Sequence, residues 1–131
     1  RGRNTRPELV LRSALHERGF RFRLHVSDLP GKPDLVFPKH RAVIQVHGCF
    51  WHRHGCSKTT SPSTNVEFWE KKFRRNVERD AEIEASLEKL GWRFGIVWEC
   101  TLGKQAEISL VERVEKFLLD QSIRRFEWPR R

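Results

Sequence analysis

Long apolar runs are missing from this sequence of 131 residues. The longest, such as Phe94-Gly-Ile-Val-Trp98, fall far short of the roughly 20 residues needed to cross a bilayer. The arginine-rich N-terminus also lacks the apolar stretch of a secretory signal, so a soluble, intracellular protein is expected. Cysteine is scarce. Three residues cannot all pair within one chain, and a reducing compartment keeps them as thiols available to a metal; no disulfide is expected. Acidic residues are in deficit, 17 against 26 lysines and arginines, which leaves a net charge of +9 and makes a polyanion the first partner to consider. The deficit is steepest between Arg1 and His25, where seven arginines face two glutamates, and the chain closes on Arg124-Arg125 and Arg130-Arg131. Membrane surfaces fit poorly, because the basic segments carry no amphipathic stretch with apolar anchors. Internal repeats are absent. The length and an apolar content of 37% suit one domain with a modest core.

Local patterns predict alternating helices and strands. Thr5-Arg-Pro-Glu8 has the form of a capping box with an early proline, and Leu9, Leu11 and Leu15 continue a helix that Gly19 ends. Residues 20–25, Phe-Arg-Phe-Arg-Leu-His, alternate with period two and predict a strand. Leu29-Pro-Gly-Lys-Pro33 is a turn that delivers Asp34 to the short run Leu35-Val-Phe37. A second turn, Pro38 to Arg41, leads into the strand Ala42 to His47, so the two runs should form a hairpin. After a polar loop over 57–65, a long helix is predicted from about Val66 to Leu90, then a buried strand Trp92 to Trp98 and an amphipathic helix from about Gln105 to Gln121. At about 100° per residue, Trp69, Phe73, Val77, Ile83, Leu87 and Leu90 of the long helix share an apolar arc, with Asn76, Asp80 and Glu84 inside it. A carboxylate there needs a partner, a cation or a histidine, unless the helix turns it to water. The order of elements predicts a small α/β sandwich.

Chemistry concentrates in His47-Gly-Cys-Phe-Trp-His-Arg-His-Gly-Cys56. Cys49, His54 and Cys56, with Cys100 after the strand ending in Trp98, could close a tetrahedral Zn²⁺ site; the alternative is buried thiols acting as small apolar groups. Asp34 and the triplet Gln45-Val-His47 should converge at one end of the hairpin. That arrangement can hold a hard divalent cation beside a phosphate, although an aspartate in a turn is also common without one. Glu8 is fully explained by the capping box.

Set in order, His47-Gly-Cys-Phe-Trp-His52 with Cys56, Pro30-Gly-Lys-Pro-Asp34, Phe68-Trp69, Asn76-Val-Glu-Arg-Asp80, Leu90-Gly-Trp92 and Val97-Trp-Glu-Cys100 resemble the very short patch repair DNA mismatch endonucleases of the PD-(D/E)xK superfamily. The resemblance runs from about Arg1 to Phe117. It implies a single-domain restriction-endonuclease-like α/β fold, a central mixed sheet flanked by helices, with a structural zinc site. It also implies a cytoplasmic, nucleoid-associated enzyme that nicks one strand of double-stranded DNA at a T·G mismatch, acting as a monomer alongside other mismatch-repair proteins. Asp34 and the main-chain carbonyl of Val46 would hold catalytic Mg²⁺, with Glu8 acting through metal-bound water. His52 would be the general base, oriented by Asp80, and His47 would sit near the phosphate. Cys49, His54, Cys56 and Cys100 would bind zinc. Phe50, Trp51, Trp69, Asn76 and Lys32 would contact DNA, the aromatics by entering the base stack, which is cheapest at a mispaired step. Such enzymes imply residues ahead of Arg1 that grip the duplex, so a truncated recognition arm is expected, as is a basic C-terminal tail over about 122–131. The alternatives are a restriction- or defence-type nuclease and a non-catalytic zinc-containing DNA-binding module.

Overall fold

The computed structural model describes residues 5–49 and 63–129. Helix α1 spans Arg6–Glu17 and buries Leu11 and Leu15. Strand β1 is only Arg23–Leu24, shorter than the predicted 20–25. Its alternation is real, but β1 is an edge strand, and His25 at φ +48 leaves the extended region and stops the pairing. Phe20 and Phe22 remain useful as core: both rings pack on Phe37, at centroid distances of 6.4 and 5.5 Å. β2 (Leu35–Phe37) and β3 (Ala42–His47) form the expected antiparallel hairpin, with Leu35 opposite Ile44. A 3₁₀ turn over Pro38–His40 and Arg41 in the left-handed region, φ +50, reverse the chain between them.

Helix α2 runs from Val66 to Lys89, and Gly91 at φ +86 ends it, as predicted. β4 (Arg93–Trp98) is buried throughout. Helix α3 covers Ile108–Leu119, shorter at both ends than the predicted 105–121. Asp120 is extended and its carboxylate accepts hydrogen bonds from the Ser122 N–H and hydroxyl, at 3.0 and 2.6 Å, which closes a turn where the helix would continue. Within the segment expected as a basic tail, Arg125–Trp128 form a fifth strand, β5. Arg125-Phe-Glu-Trp128 alternates polar and apolar, and Phe126 stacks on Phe117 of α3 at 5.5 Å.

The five strands lie in the order β1-β2-β3-β4-β5, antiparallel on the β1–β3 side and parallel from β3 to β5. Parallel neighbours need a crossover, and α2 and α3 provide the two. Strand alternation sorts the core into two faces. Leu35, Phe37, Ala42, Ile44, Val46 and Val97 pack with Leu11 and Leu15 of α1 and with Leu110, Val114, Phe117 and Leu118 of α3. Val36, Val43, Phe94, Ile96 and Trp98 pack on the other side with Leu87 and Ile83 of α2. The α2 arc is as predicted for Phe73 and Leu87, which are buried, whereas Leu90 lies outside, 53% exposed, because the helix ends before it. Glu84, which looked anomalous on that arc, pairs with Arg125 of β5 at 2.5 Å, and this bond holds the guanidinium above the usual arginine range.

Arg93 ties these layers together. It is 1% exposed, and its guanidinium donates to the carbonyls of Phe117 (2.6 Å), Leu118 (3.1 Å), Ile123 (3.0 Å) and His40 (2.8 Å). A buried charge thus satisfies the carbonyls that the end of α3 leaves without helical partners.

Candidate active site

Helix α1 delivers the first carboxylate. The capping-box reading of Glu8 does not hold: the Thr5 side chain makes no cap bond, and Glu8 lies on the helical face of Leu11 and Leu15, which is turned to the sheet. Only 1% exposed, its Oε2 sits 3.7 Å from the Arg12 guanidinium one turn later and 3.6 Å from Nε2 of His25.

The second carboxylate comes from the turn before β2. Gly31 and Lys32 both adopt positive φ, +73 and +46, and the Lys32 N–H donates to the Leu29 carbonyl at 3.1 Å. Gln45 of β3 donates from Nε2 to the Gly31 carbonyl at 3.2 Å, pinning the turn to the sheet. Asp34 then enters the interior, 5% exposed, with Oδ2 accepting the Val46 N–H at 2.7 Å. The predicted convergence of Asp34 with the Gln45-Val-His47 triplet is therefore present at the level of Asp34, Gln45 and Val46.

Between the carboxylates lies His25, which the sequence reading treated only as a strand end. Its Nδ1 is 3.9 Å from Asp34 Oδ1, and Nε2 is 3.4 Å from an Arg12 nitrogen. The His25 N–H donates to the Asp34 carbonyl at 3.2 Å, so one backbone bond keeps the two residues adjacent. The available signal was the hairpin register: Leu24 opposite Leu35 puts His25 opposite Asp34. Glu8, His25 and Asp34 each offer a ligand atom within 4.8 Å of the others. Two buried carboxylates so close repel one another and lose hydration, so they call for cations. Arg12 supplies one, and the donor set has the composition of a divalent metal site.

His47 ends β3, 5% exposed, with its ring edge-on to Trp98 at 5.2 Å. Trp98 is itself fixed by its indole N–H, which donates to Glu127 of β5 at 2.8 Å. Cys49 and Cys100 each lie two residues beyond the paired residues His47 and Trp98, so the parallel register carries both to the same end of the sheet. Glu99 links the two segments by accepting the Cys49 N–H at 3.1 Å. Asn76 and Asp80 are half-buried on one face of α2. Trp69 is also half-buried, stacked on Phe73 at 5.8 Å and edge-on to Phe68, which is 59% exposed. Lys32 is exposed. Phe50, Trp51, His52, His54 and Cys56 lie outside the described residues.

Taken together, these features define a layered α/β protein with a carboxylate and histidine cluster at one sheet edge that could hold a metal ion. Residues 1–58 match the family of the DNA mismatch endonuclease Vsr. The chain is 47% identical over 122 residues to a type II nicking enzyme, V.XorIIP, of Xanthomonas oryzae pv. oryzae, which covers 93% of this chain and 88% of that one. It is 44% identical over 119 residues to the DNA mismatch endonuclease Vsr of Escherichia coli K12, covering 88% and 76%. A type II nicking enzyme of Neisseria meningitidis, V.NmeAIP, is 42% identical over 104 residues, covering 79% and 74%. This chain belongs to the Vsr family of DNA mismatch endonucleases.

Proposed function

We propose that the chain is a DNA mismatch endonuclease with a restriction-endonuclease-like fold that nicks one strand beside a T·G mismatch. The observation that carries the reading is the buried Glu8, His25 and Asp34 cluster at the sheet edge, in a chain 44% identical to a named mismatch endonuclease. Asp34 and the main-chain carbonyl of Val46 would hold the catalytic divalent cation, for which Mg²⁺ suffices, with Glu8 reaching it through water. Bound there, the cation supplies Lewis-acid stabilisation of charge on the phosphate and leaving oxygen. His52 takes the proton of the attacking water and Asp80 orients its imidazole, a role that suits a half-buried carboxylate on the sheet-facing side of α2. His47, held against Trp98, sits near the scissile phosphate.

Zinc at Cys49, His54, Cys56 and Cys100 would brace the segment that carries His52 and the Phe50-Trp51 wedge. The proximity of the β3 and β4 ends supports it, because two of the four ligands follow register-matched residues. Phe50, Trp51 and Trp69 would enter the base stack, while Asn76 and Lys32 contact the duplex. The enzyme is expected to act as a monomer.

Duplexes that differ only in one base pair, T·G against T·A, provide the test. With Mg²⁺ the chain should nick one strand of the T·G duplex and leave the matched duplex intact. Asp34→Ala and His52→Ala should abolish nicking while mismatch binding persists in a gel-shift assay. Equal cutting of both duplexes rejects mismatch specificity in favour of a restriction- or defence-type nuclease. Wild-type nicking by either variant rejects the mechanism.

A further inference from the structure

We infer that His25 is a direct ligand of the metal at this site and gives it a preference for Mn²⁺ over Mg²⁺. The inference rests on the reading of Asp34 as a metal ligand and adds a nitrogen donor to it. Three observations carry it. First, His25 lies between two carboxylates that are 1% and 5% exposed, with Nδ1 toward Asp34 at 3.9 Å and Nε2 toward Glu8 at 3.6 Å. In an octahedral shell with bonds of about 2.1 Å, neighbouring ligands are about 3.0 Å apart and opposite ones about 4.2 Å. The Nδ1–Asp34 separation falls between these limits, so a shift of under about 1 Å brings that pair into one shell, and Glu8, which faces the other ring nitrogen, reaches the ion through water.

Second, Nδ1 is the nitrogen that faces Asp34, while Arg12 stands on the Nε2 side at 3.4 Å. A guanidinium can only donate, so ligation through Nδ1, which leaves the proton on Nε2, turns Arg12 off that nitrogen and onto the carboxylate of Glu8, 3.7 Å away. Third, the residue cannot drift from the site: its N–H is bonded to the Asp34 carbonyl, and its backbone is held at φ +48. The chemical consequence follows from ligand type. Mg²⁺ takes oxygen ligands and gives up water reluctantly, whereas imidazole suits first-row transition ions. An imidazole added to Asp34 and the water-linked Glu8 therefore shifts the site toward Mn²⁺, which oxygen donors alone would not do.

Calorimetric titration of the purified chain, without DNA, with MnCl₂ and separately with MgCl₂ tests the inference on the wild type, His25→Gln and Asp34→Asn. Wild type should bind Mn²⁺ about tenfold or more tighter than Mg²⁺. His25→Gln should lose that margin by weakening Mn²⁺ while Mg²⁺ affinity stays within about threefold. An unchanged Mn²⁺ to Mg²⁺ ratio in His25→Gln, with both ions lost from Asp34→Asn, overturns the role of His25 alone. Wild-type binding of both ions by Asp34→Asn overturns the carboxylate site itself. Pulsed electron paramagnetic resonance of the Mn²⁺ complex gives a reading independent of the variants' stability. Coupling to a histidine nitrogen is expected in the wild type and its absence there rejects the inference.

Discussion

Asp34 illustrates how a single residue is placed against its own stability. Its carboxylate lies in the interior, shares His25 with Glu8, and accepts a hydrogen bond from the Val46 N–H. Replacing it by asparagine removes one of two like charges and keeps an oxygen to accept that N–H. We expect Asp34→Asn to unfold within about 1 kcal/mol of the wild type, or above it, in the absence of divalent ions. The rise in melting temperature that Mg²⁺ or Mn²⁺ gives the wild type should vanish in the variant. Thermal melts with and without ion check both parts, and a large fall in ion-free stability would show that Asp34 serves the fold instead. Arg93 is the opposite case, a buried charge that serves the fold alone. Arg93→Met would leave the carbonyls of Phe117, Leu118, Ile123 and His40 without their donor, at a cost of roughly 3–5 kcal/mol. Arg93→Lys should recover little, since an ammonium cannot span the same carbonyls, and urea denaturation measures both. Neither Arg93 nor His25 was legible in the sequence. Local pattern sees an arginine beside a buried strand and a histidine at the end of one, and what each does depends on partners 24 or more residues away for Arg93 and on Asp34 across the hairpin turn for His25. Glu8 was legible in position, but its local pattern pointed to a capping box and only the family resemblance pointed to the metal, because a capping box and an inward-facing carboxylate have the same local sequence.

Elements were read more reliably where periodicity is long. Twenty-four residues of α2 repeat the helical period many times, and Gly91 marks its end without ambiguity. β5 is four residues long and charged at two of them, so the alternation of Arg125-Phe-Glu-Trp128 was masked by the basic residues around it. One contact between elements matters for the site. A Cβ added at Gly31 would meet Ile83 Cγ2 of α2 at 2.5 Å, and Gly31 already sits at φ +73, so the turn that presents Asp34 is packed under the helix. Gly31→Ala should therefore cost about 1–3 kcal/mol through strain and overpacking and weaken metal binding along with it. Trimming the opposing side chain should return part of the loss: in Gly31→Ala with Ile83→Ala the two effects should be less than additive, by about 0.5 kcal/mol or more. Additive losses in a denaturation cycle would mean that the backbone strain at Gly31, and not the contact with α2, dominates.

At the scale of the whole molecule, two separate forces should govern DNA binding. The net charge of +9 acts on any duplex by releasing counterions, so affinity should fall steeply with salt whatever the sequence. Aromatic insertion acts only where a base step opens cheaply, and it depends little on salt. Trp69 at the start of α2 is the residue proposed for the second role: it stacks on Phe73, which is buried in the sheet-facing side of the helix, and the neighbouring Phe68 is largely exposed. That stacking fixes the indole on a rigid support, and Lys72 stands 5.9 Å from both rings, close enough to meet a phosphate flanking an opened step. We expect Trp69→Ala to weaken binding to a T·G duplex by about 1–3 kcal/mol, the range for loss of one base-stacking aromatic. Binding to the matched T·A duplex should change far less, and the slope of affinity against salt should be the same for both proteins. Lys72→Ala should do the reverse, lowering affinity for both duplexes and reducing the salt slope by about one counterion. Fluorescence anisotropy over a range of KCl concentrations separates the two. Equal loss on both duplexes from Trp69→Ala would assign the indole to the protein core and leave mismatch recognition to other residues.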